Sequence, residues 1–237
     1  PLIVEITQPE TLRMLPEADT LLYAVGYDRR AALPRRDVTL HGLENVLNEL
    51  RGKIGQILYV STNSVYGIDD GSWVTAESDC RAVEEKGVVA LEAENFIRAG
   101  GFSRANIFRL SGIYGPERLL ARRQTLLENG FLSGNPEAWL NLIHVDDAVS
   151  AVLAGEMHSP GSETWLVSDD RPIPRREYYS LFARLIGAPE PQYGPGEAPA
   201  GLNKRCDNSL TKSRLQWSPK YATIETGLPH ALGFPGV

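Results

Sequence analysis

A doubly wound α/β fold, Rossmann-like with a mostly parallel sheet and a small C-terminal lobe, is what this sequence predicts. Short apolar runs alternate with amphipathic stretches over the first two-thirds of the chain, the pattern of strand–helix–strand units. Several of those runs end in Gly or Ser/Thr/Asn clusters, the composition found at the ligand-binding end of such sheets. A Pro- and Gly-rich stretch then sets the last part of the chain apart. One domain of 237 residues is expected, with its core in about 1–135 and 140–170 and the lobe mainly in 171–237.

Leu2–Ile6 reads as a strand, and Thr20–Gly26 as a second strand, apolar enough to be buried on both faces. A helix follows from Pro34 to Arg51, where Leu43, Val46, Leu47 and Leu50 recur at i, i+3, i+4 and i+7. Gln56–Val60 is the next strand and runs into Ser61–Ser64. A polar loop, Gly67–Cys80, precedes a helix over Arg81–Arg98 with Val83, Leu91, Phe96 and Ile97 as its apolar stripe. Gly100 and Gly101 end it. The strand Asn106–Leu110 leads into Ser111–Pro116. Beyond it are read a helix over Leu119–Glu128, a strand over Leu140–Val145, a helix over Asp146–Glu156, a strand over Thr164–Val167 and a helix over Pro174–Ile186. Ala188–Gly201, with four prolines and three glycines, reads as a connector.

Composition narrows function. Hydrophobic residues are 42% and charged residues 23%, ordinary soluble usage. The net charge of −6 argues against nucleic acid as a partner, since polyanion binding draws on clustered excess Lys and Arg. No apolar stretch approaches the roughly 20 residues of a membrane span, and no leader pattern opens the chain, so no membrane partner and a cytoplasmic location are expected. Cys80 and Cys206 lack metal or redox spacing and read as free thiols.

Generic motifs are absent from the sequence: no Gly-x-Gly-x-x-Gly between strand and helix, no P-loop, no nucleophile elbow, and four scattered histidines. Longer strings carry more. Val60-Ser61-Thr62-Asn63-Ser64-Val65-Tyr66-Gly67 is followed in order by Arg109-Leu110-Ser111-Gly112-Ile113-Tyr114-Gly115-Pro116, by Asn141-Leu142-Ile143-His144-Val145-Asp146-Asp147-Ala148, and by Asp207-Asn208-Ser209 leading to Leu215-Gln216-Trp217-Ser218-Pro219. In sequence and order these resemble the extended, and in part the atypical, short-chain dehydrogenase/reductases, the NAD-dependent epimerase/dehydratase family.

The resemblance implies NAD or NADP as cofactor, with Ala24, Val25, Gly26, Ser61, Thr62, Leu110, Ser111 and Gly112 lining it. It implies a small-molecule substrate, such as a nucleotide-linked sugar or another hydroxylated compound, bound between sheet and lobe. Thr62 takes the position of the family's catalytic Ser or Thr, and Arg118 and Asn141 are the candidate substrate contacts. A homodimer is the assembly considered, and no metal is expected. Thr7–Leu12 resembles the turn after the family's third strand, a register that puts the first βαβ unit before Pro1. The sequence departs from the family at the Tyr-x-x-x-Lys pair, expected about 25 residues after Thr62. No tyrosine lies between Tyr66 and Tyr114. Three readings therefore stand: an atypical oxidoreductase or epimerase, a non-catalytic dinucleotide-binding sensor, and a truncated form without cofactor.

Blander readings compete at several positions. Tyr66 reads as a packing residue rather than an acid, and His144 with Asp146 and Asp147 as a strand-to-helix junction rather than a base. The pairs Arg29-Arg30, Arg35-Arg36, Arg122-Arg123 and Arg175-Arg176 read as solvated. Glu85, Glu92 and Glu94 read as an exposed helix face, and Lys86 as a weak candidate for a displaced catalytic lysine.

Overall fold

The computed structural model describes residues 1–28, 30, 32–118, 120–128, 131–194 and 203–234, with backbone alone for 120–122. Elements follow in chain order. A one-turn helix α1 (Pro9–Leu12) precedes β1 (Ala18–Tyr23), and a π-turn over Asp37–His41 runs into α2 (Gly42–Glu49). Next are β2 (Ile54–Thr62), a 3₁₀ turn over Asn63–Tyr66, β3 (Trp73–Val74), α3 (Glu85–Ala99), β4 (Ala105–Leu110), β5 (Gly112–Tyr114) and α4 (Leu120–Leu127). The chain continues through β6 (Phe131–Ser133), β7 (Trp139–Leu140), β8 (Leu142–His144), α5 (Val145–His158), β9 (Thr164–Val167), β10 (Ile173–Pro174) and α6 (Arg175–Ile186). It closes with β11 (Gln192–Gly194), β12 (Arg205–Cys206), α7 (Ser209–Leu215) and α8 (Ile224–Ala231).

The main sheet has the order β1-β2-β4-β9, all parallel. Strand alternation divides its side chains between two cores. Ile57, Tyr59, Ala105 and Ile107 face one side with Leu43, Val46, Leu47 and Leu50 of the α2 segment and Val89, Ala93 and Ile97 of α3. Leu58, Phe108 and Leu110 face the other with Ala148, Ala151 and Val152 of α5, and with Leu215 and Trp217. Each large aliphatic side chain so buried contributes about 1.5–3 kcal/mol, which is why the i, i+3, i+4, i+7 stripe of α2 forms where the sequence places it. A third core joins Leu126, Leu132 and Ile173 with Tyr178, Tyr179 and Phe182 of α6 and Ile224 and Leu228 of α8.

The structure corrects several expectations. Leu2–Ile6 is not a strand: Val4 and Ile6 pack on the first core while Ile3 is 94% exposed. Its backbone bonds go elsewhere: Glu5 N–H donates to Thr11 Oγ1, and the Ile6 carbonyl accepts from Asn45 Nδ2. Gly42 allows this close approach, since a Cβ there would lie 2.6 Å from Ile6 Cδ1. The strand at Thr20–Gly26 ends at Tyr23 and, as a sheet edge paired with β2 alone, is buried only in part. The polar loop 67–80 contains β3, which pairs with β12. Val83 lies before α3 and is exposed, whereas Glu94, expected on the exposed face, is fully buried. The strand read over Leu140–Val145 is broken into β7 and β8. Within Ala188–Gly201 the segment Gln192–Gly194 pairs with β6, and 195–201 lie outside the described residues, as do Leu119 and Arg29.

Candidate active site

Parallel strands aim their carboxyl ends at one edge of the sheet, and the turns after β1, β2, β4 and β9 gather there. β2 runs to Thr62, which adopts an extended conformation and caps the 3₁₀ turn: its hydroxyl oxygen accepts from Ser64 N–H at 3.2 Å. The turn ends at Gly67 with φ +62°, and a Cβ there would lie 1.7 Å from the Arg81 carbonyl oxygen. Gly87, in the first turn of α3, is equally constrained, 2.4 Å from the Ser64 carbonyl oxygen by the same measure. Two glycines thus press the start of α3 against the Thr62 turn.

The next residue ties the turn to its neighbours. Asn63 Nδ2 donates to Ser111 Oγ at 3.2 Å and reaches Cys206 Sγ at 3.5 Å. Ser111 is itself buried, with its N–H on the Val167 carbonyl. Asn141 holds the segment carrying Cys206 like a strand partner: its amide donates to the Lys204 carbonyl at 2.9 Å and accepts from Cys206 N–H at 2.7 Å. Burial pushes the Cys206 thiol up to about 11, so it is a packing group rather than a nucleophile.

The predicted site residues therefore divide. Thr62, Leu110, Ser111 and Gly112 come together at the strand ends, and Ala24, Val25 and Gly26 follow β1 as an exposed segment at the same edge. Ser61 points away: its hydroxyl donates to buried Glu94 at 2.6 Å. Asn141 spends its amide on the backbone of 204–206. Arg118 is exposed, on the turn whose N–H returns to the Gly115 carbonyl.

The competing readings are also decided by geometry. Tyr66 is fully buried and accepts from Arg109 Nη1, and burial raises its phenol out of the catalytic range. His144 caps α5 by accepting from Asp146 N–H at 3.1 Å, while Asp147 accepts from the N–H groups of Lys220 and Tyr221. His144, Asp146 and His230 lie close enough to suggest a metal site, but His144 Nδ1 is occupied by that cap and its Nε2 meets His230 Nδ1 at 3.1 Å. Arg35 and Arg36 pair with Glu85 and Glu92, and Arg176 with Glu137; the Arg122 side chain lies outside the described residues.

Sequence reasoning passed over Lys204, which is 1% exposed, and Asp169, whose carboxyl oxygens are buried two residues after β9. Neither stands in a recognisable local pattern. The pairing of 203–207 with 71–74 and the Asn141 amide together carry Lys204 inward.

Four parallel strands with helices on both faces and polar turns at their carboxyl ends define a Rossmann-type α/β protein. No family model matches the chain. Protein YeeZ of Escherichia coli K12 is 24% identical over 217 residues, 91% of this chain and 76% of YeeZ. Human short-chain dehydrogenase/reductase family 42E member 1 is 27% identical over 179 residues, 64% of this chain and 46% of that protein, so the chain spans under half of its length. Among solved structures, an NAD-dependent epimerase/dehydratase-type protein of Methylobacillus flagellatus is 26% identical, with a TM-score of 0.77 over 98% of this chain and 82% of that one. UDP-glucose 4-epimerase of Thermotoga maritima, 18% identical, shares the fold at a TM-score of 0.81 over 97% of this chain and 82% of its own. In sequence and fold the chain is thus similar to the extended short-chain dehydrogenase/reductases of the NAD-dependent epimerase/dehydratase type. Among the described residues no helix is long and apolar enough to cross a membrane.

Proposed function

We propose that the protein is a nicotinamide-dinucleotide-dependent oxidoreductase or epimerase acting on a hydroxylated small molecule, with a nucleotide-linked sugar as the leading substrate class. The observation that carries this is the half-buried Thr62 hydroxyl, held by its cap at the strand-end crevice between the exposed Ala24–Gly26 segment and the Leu110–Gly112 turn. Solved relatives of this fold support it: one was determined with NADPH and another with UDP-glucose.

The residues present fit the nicotinamide end of such a cofactor. Val25 is 46% exposed, and a Cβ at Gly26 would meet nothing within 4 Å, which leaves open backbone for a flat ring. When bound, the dinucleotide supplies hydride chemistry. The chain's own part is to hold the reacting oxygen at Thr62 Oγ1, and Ser111 and Asn63 fix the floor beneath it. Incubation with NAD or NADP and a panel of alcohols and nucleotide sugars is expected to change absorbance at the reduced-nicotinamide band. Thr62→Val is expected to lower that rate by about 10²–10³, the usual effect of deleting one donor to a reacting oxygen. Equal rates in the variant would refute the role of Thr62.

A second reading is a non-catalytic dinucleotide sensor, in which occupancy biases a conformational equilibrium. The tyrosine-free interval between Tyr66 and Tyr114 favours it. Saturable binding without turnover on any member of the panel would select it.

A further inference from the structure

We propose that the His144–His230 pair is a pH-sensitive latch, which holds α8 against β8 while both rings are neutral and releases the end of that helix when His230 takes up a proton. The latch belongs to the lobe and does not depend on the chemistry proposed at the strand ends.

The hydrogen bonds fix where the protons sit. A backbone N–H can only donate, and that of Asp146 points at His144 Nδ1 from 3.1 Å. That nitrogen is therefore bare, and the neutral ring carries its proton on Nε2. His144 Nε2 lies 3.1 Å from His230 Nδ1, so His144 donates and His230 Nδ1 accepts. A proton added to His230 Nδ1 sets two N–H groups head to head across that distance. The bond survives only if His144 moves its own proton to Nδ1, against the Asp146 N–H, and so gives up the α5 cap. Asp146 Oδ2, 3.7 Å from Nδ1, is too far to accept a hydrogen bond in exchange.

The two rings are enclosed unequally. The Tyr221 ring lies against both, with centroids 4.1 Å from His144 and 4.8 Å from His230, and the Tyr114 ring meets His144 edge-on at 5.3 Å. His144 is fully buried, whereas His230 is exposed and receives the proton from solvent. The charged groups facing the pair are Asp146 and Asp147 of α5, Lys220 ahead of α8, and Glu117 and Arg123 around the pocket that His230 shares with Pro116. Burial, helped by His230 and Lys220, lowers the His144 pKa, while Asp146 and Asp147 oppose the shift. The docked arrangement thus favours the neutral pair.

The helix held by this bond has little stability of its own. α8 is eight residues long and contains Pro229, which brings no N–H to the helix ladder. Near its start it is anchored by Ile224 and Leu228 in the third core and by Gly227, where a Cβ would lie 1.9 Å from Tyr114 Oη. His230 supplies the polar contact near its end. Release there moves one wall of the pocket beside Pro116 and Glu117, next to the candidate substrate contact Arg118. The sign follows from proton counting: the docked form binds fewer protons than the released form, so the latch is closed above the ordinary histidine value of about 6.5 and opens as pH falls below it.

The chain has four histidines, so His41→Gln and His158→Gln identify the ring signals of the latch pair by elimination in a proton–nitrogen NMR correlation. At about pH 7.5 both remaining rings are expected with Nδ1 bare, a result that needs no variant at 144 or 230. Hydrogen-exchange protection of the Leu228, His230 and Ala231 amides, corrected for intrinsic exchange, is then followed down to about pH 5.5. It is expected to fall about tenfold, the effect of one proton taken up by the released form at an ordinary histidine value, while β2 and β4 keep their protection. His230→Asn places a side-chain carbonyl where it accepts from His144 Nε2–H without titrating, and should hold α8 within about twofold over the same range. A protonated Nδ1 on either ring at the higher pH, constant α8 protection in the parent, or an equal fall in His230→Asn would overturn the latch.

Discussion

Arg109 Nη2 donates to Glu94 Oε2 at 2.7 Å with both side chains out of water. Glu94 also accepts from Ser61 Oγ and Arg98 Nη2, and Arg109 also reaches Tyr66 Oη and the Ala76 carbonyl. One ion pair thus links β2, α3, β4 and the turn that carries Thr62. Removing one partner strands the other charge, which costs about 3–5 kcal/mol. Glu94→Gln is expected to lose that much in urea unfolding, and the double variant Glu94→Gln/Arg109→Met to recover part of it.

Asp169 gives stability a pH dependence of definite sign. Burial raises its pKa well above that of an ordinary carboxyl, with the Arg171 backbone and guanidinium offsetting only part. A carboxyl with a raised folded-state pKa stabilises fully below its unfolded value, near 3.9, and loses that contribution as pH rises through the folded value. Asp169→Asn is therefore expected to match the parent near pH 4 and to be the more stable at pH 7 to 9. Parallel denaturation curves across that range would contradict this.

Gly67 combines a left-handed conformation with contact against the Arg81 carbonyl. Gly67→Ala is expected to destabilise by more than about 1 kcal/mol, since both the conformation and the space are incompatible. It should also weaken any activity dependent on Thr62. Gly52→Ala, with similar φ of +77° but open space, is the control that separates backbone strain from collision.

The two thiols should react unequally. Cys206 is 2% exposed, and burial raises its pKa to about 11; Cys80 is only partly buried. Titration with a thiol reagent is expected to modify Cys80 in the native protein and Cys206 only after denaturation.

Much of this fold was legible because its signals are local. The stripe of Leu43, Val46 and Leu47, the strand at Thr164–Val167 and the helix starting after Pro174 each follow from periodicity and breakers. What escaped was set by distant contacts. Leu2–Ile6 has strand composition but forms no ladder, and Glu94 has surface chemistry but is drawn inward by Arg109. In the site, Thr62 is marked by its string, while the hydroxyl of Ser61 in the same string turns to Glu94, since successive residues of a strand face opposite ways. Lys204 could be found only once β12 was seen to pair with β3.

The proposed function requires the carboxyl ends of the strands to hold a nicotinamide dinucleotide. Its most direct test is fluorescence titration of the protein with reduced dinucleotide, comparing the parent with Val25→Glu, which adds charge at an exposed position without touching the core. Saturable binding is expected, competed by the oxidised form and weakened tenfold or more in Val25→Glu at unchanged stability. Absence of binding, or equal affinity in the variant, would contradict it.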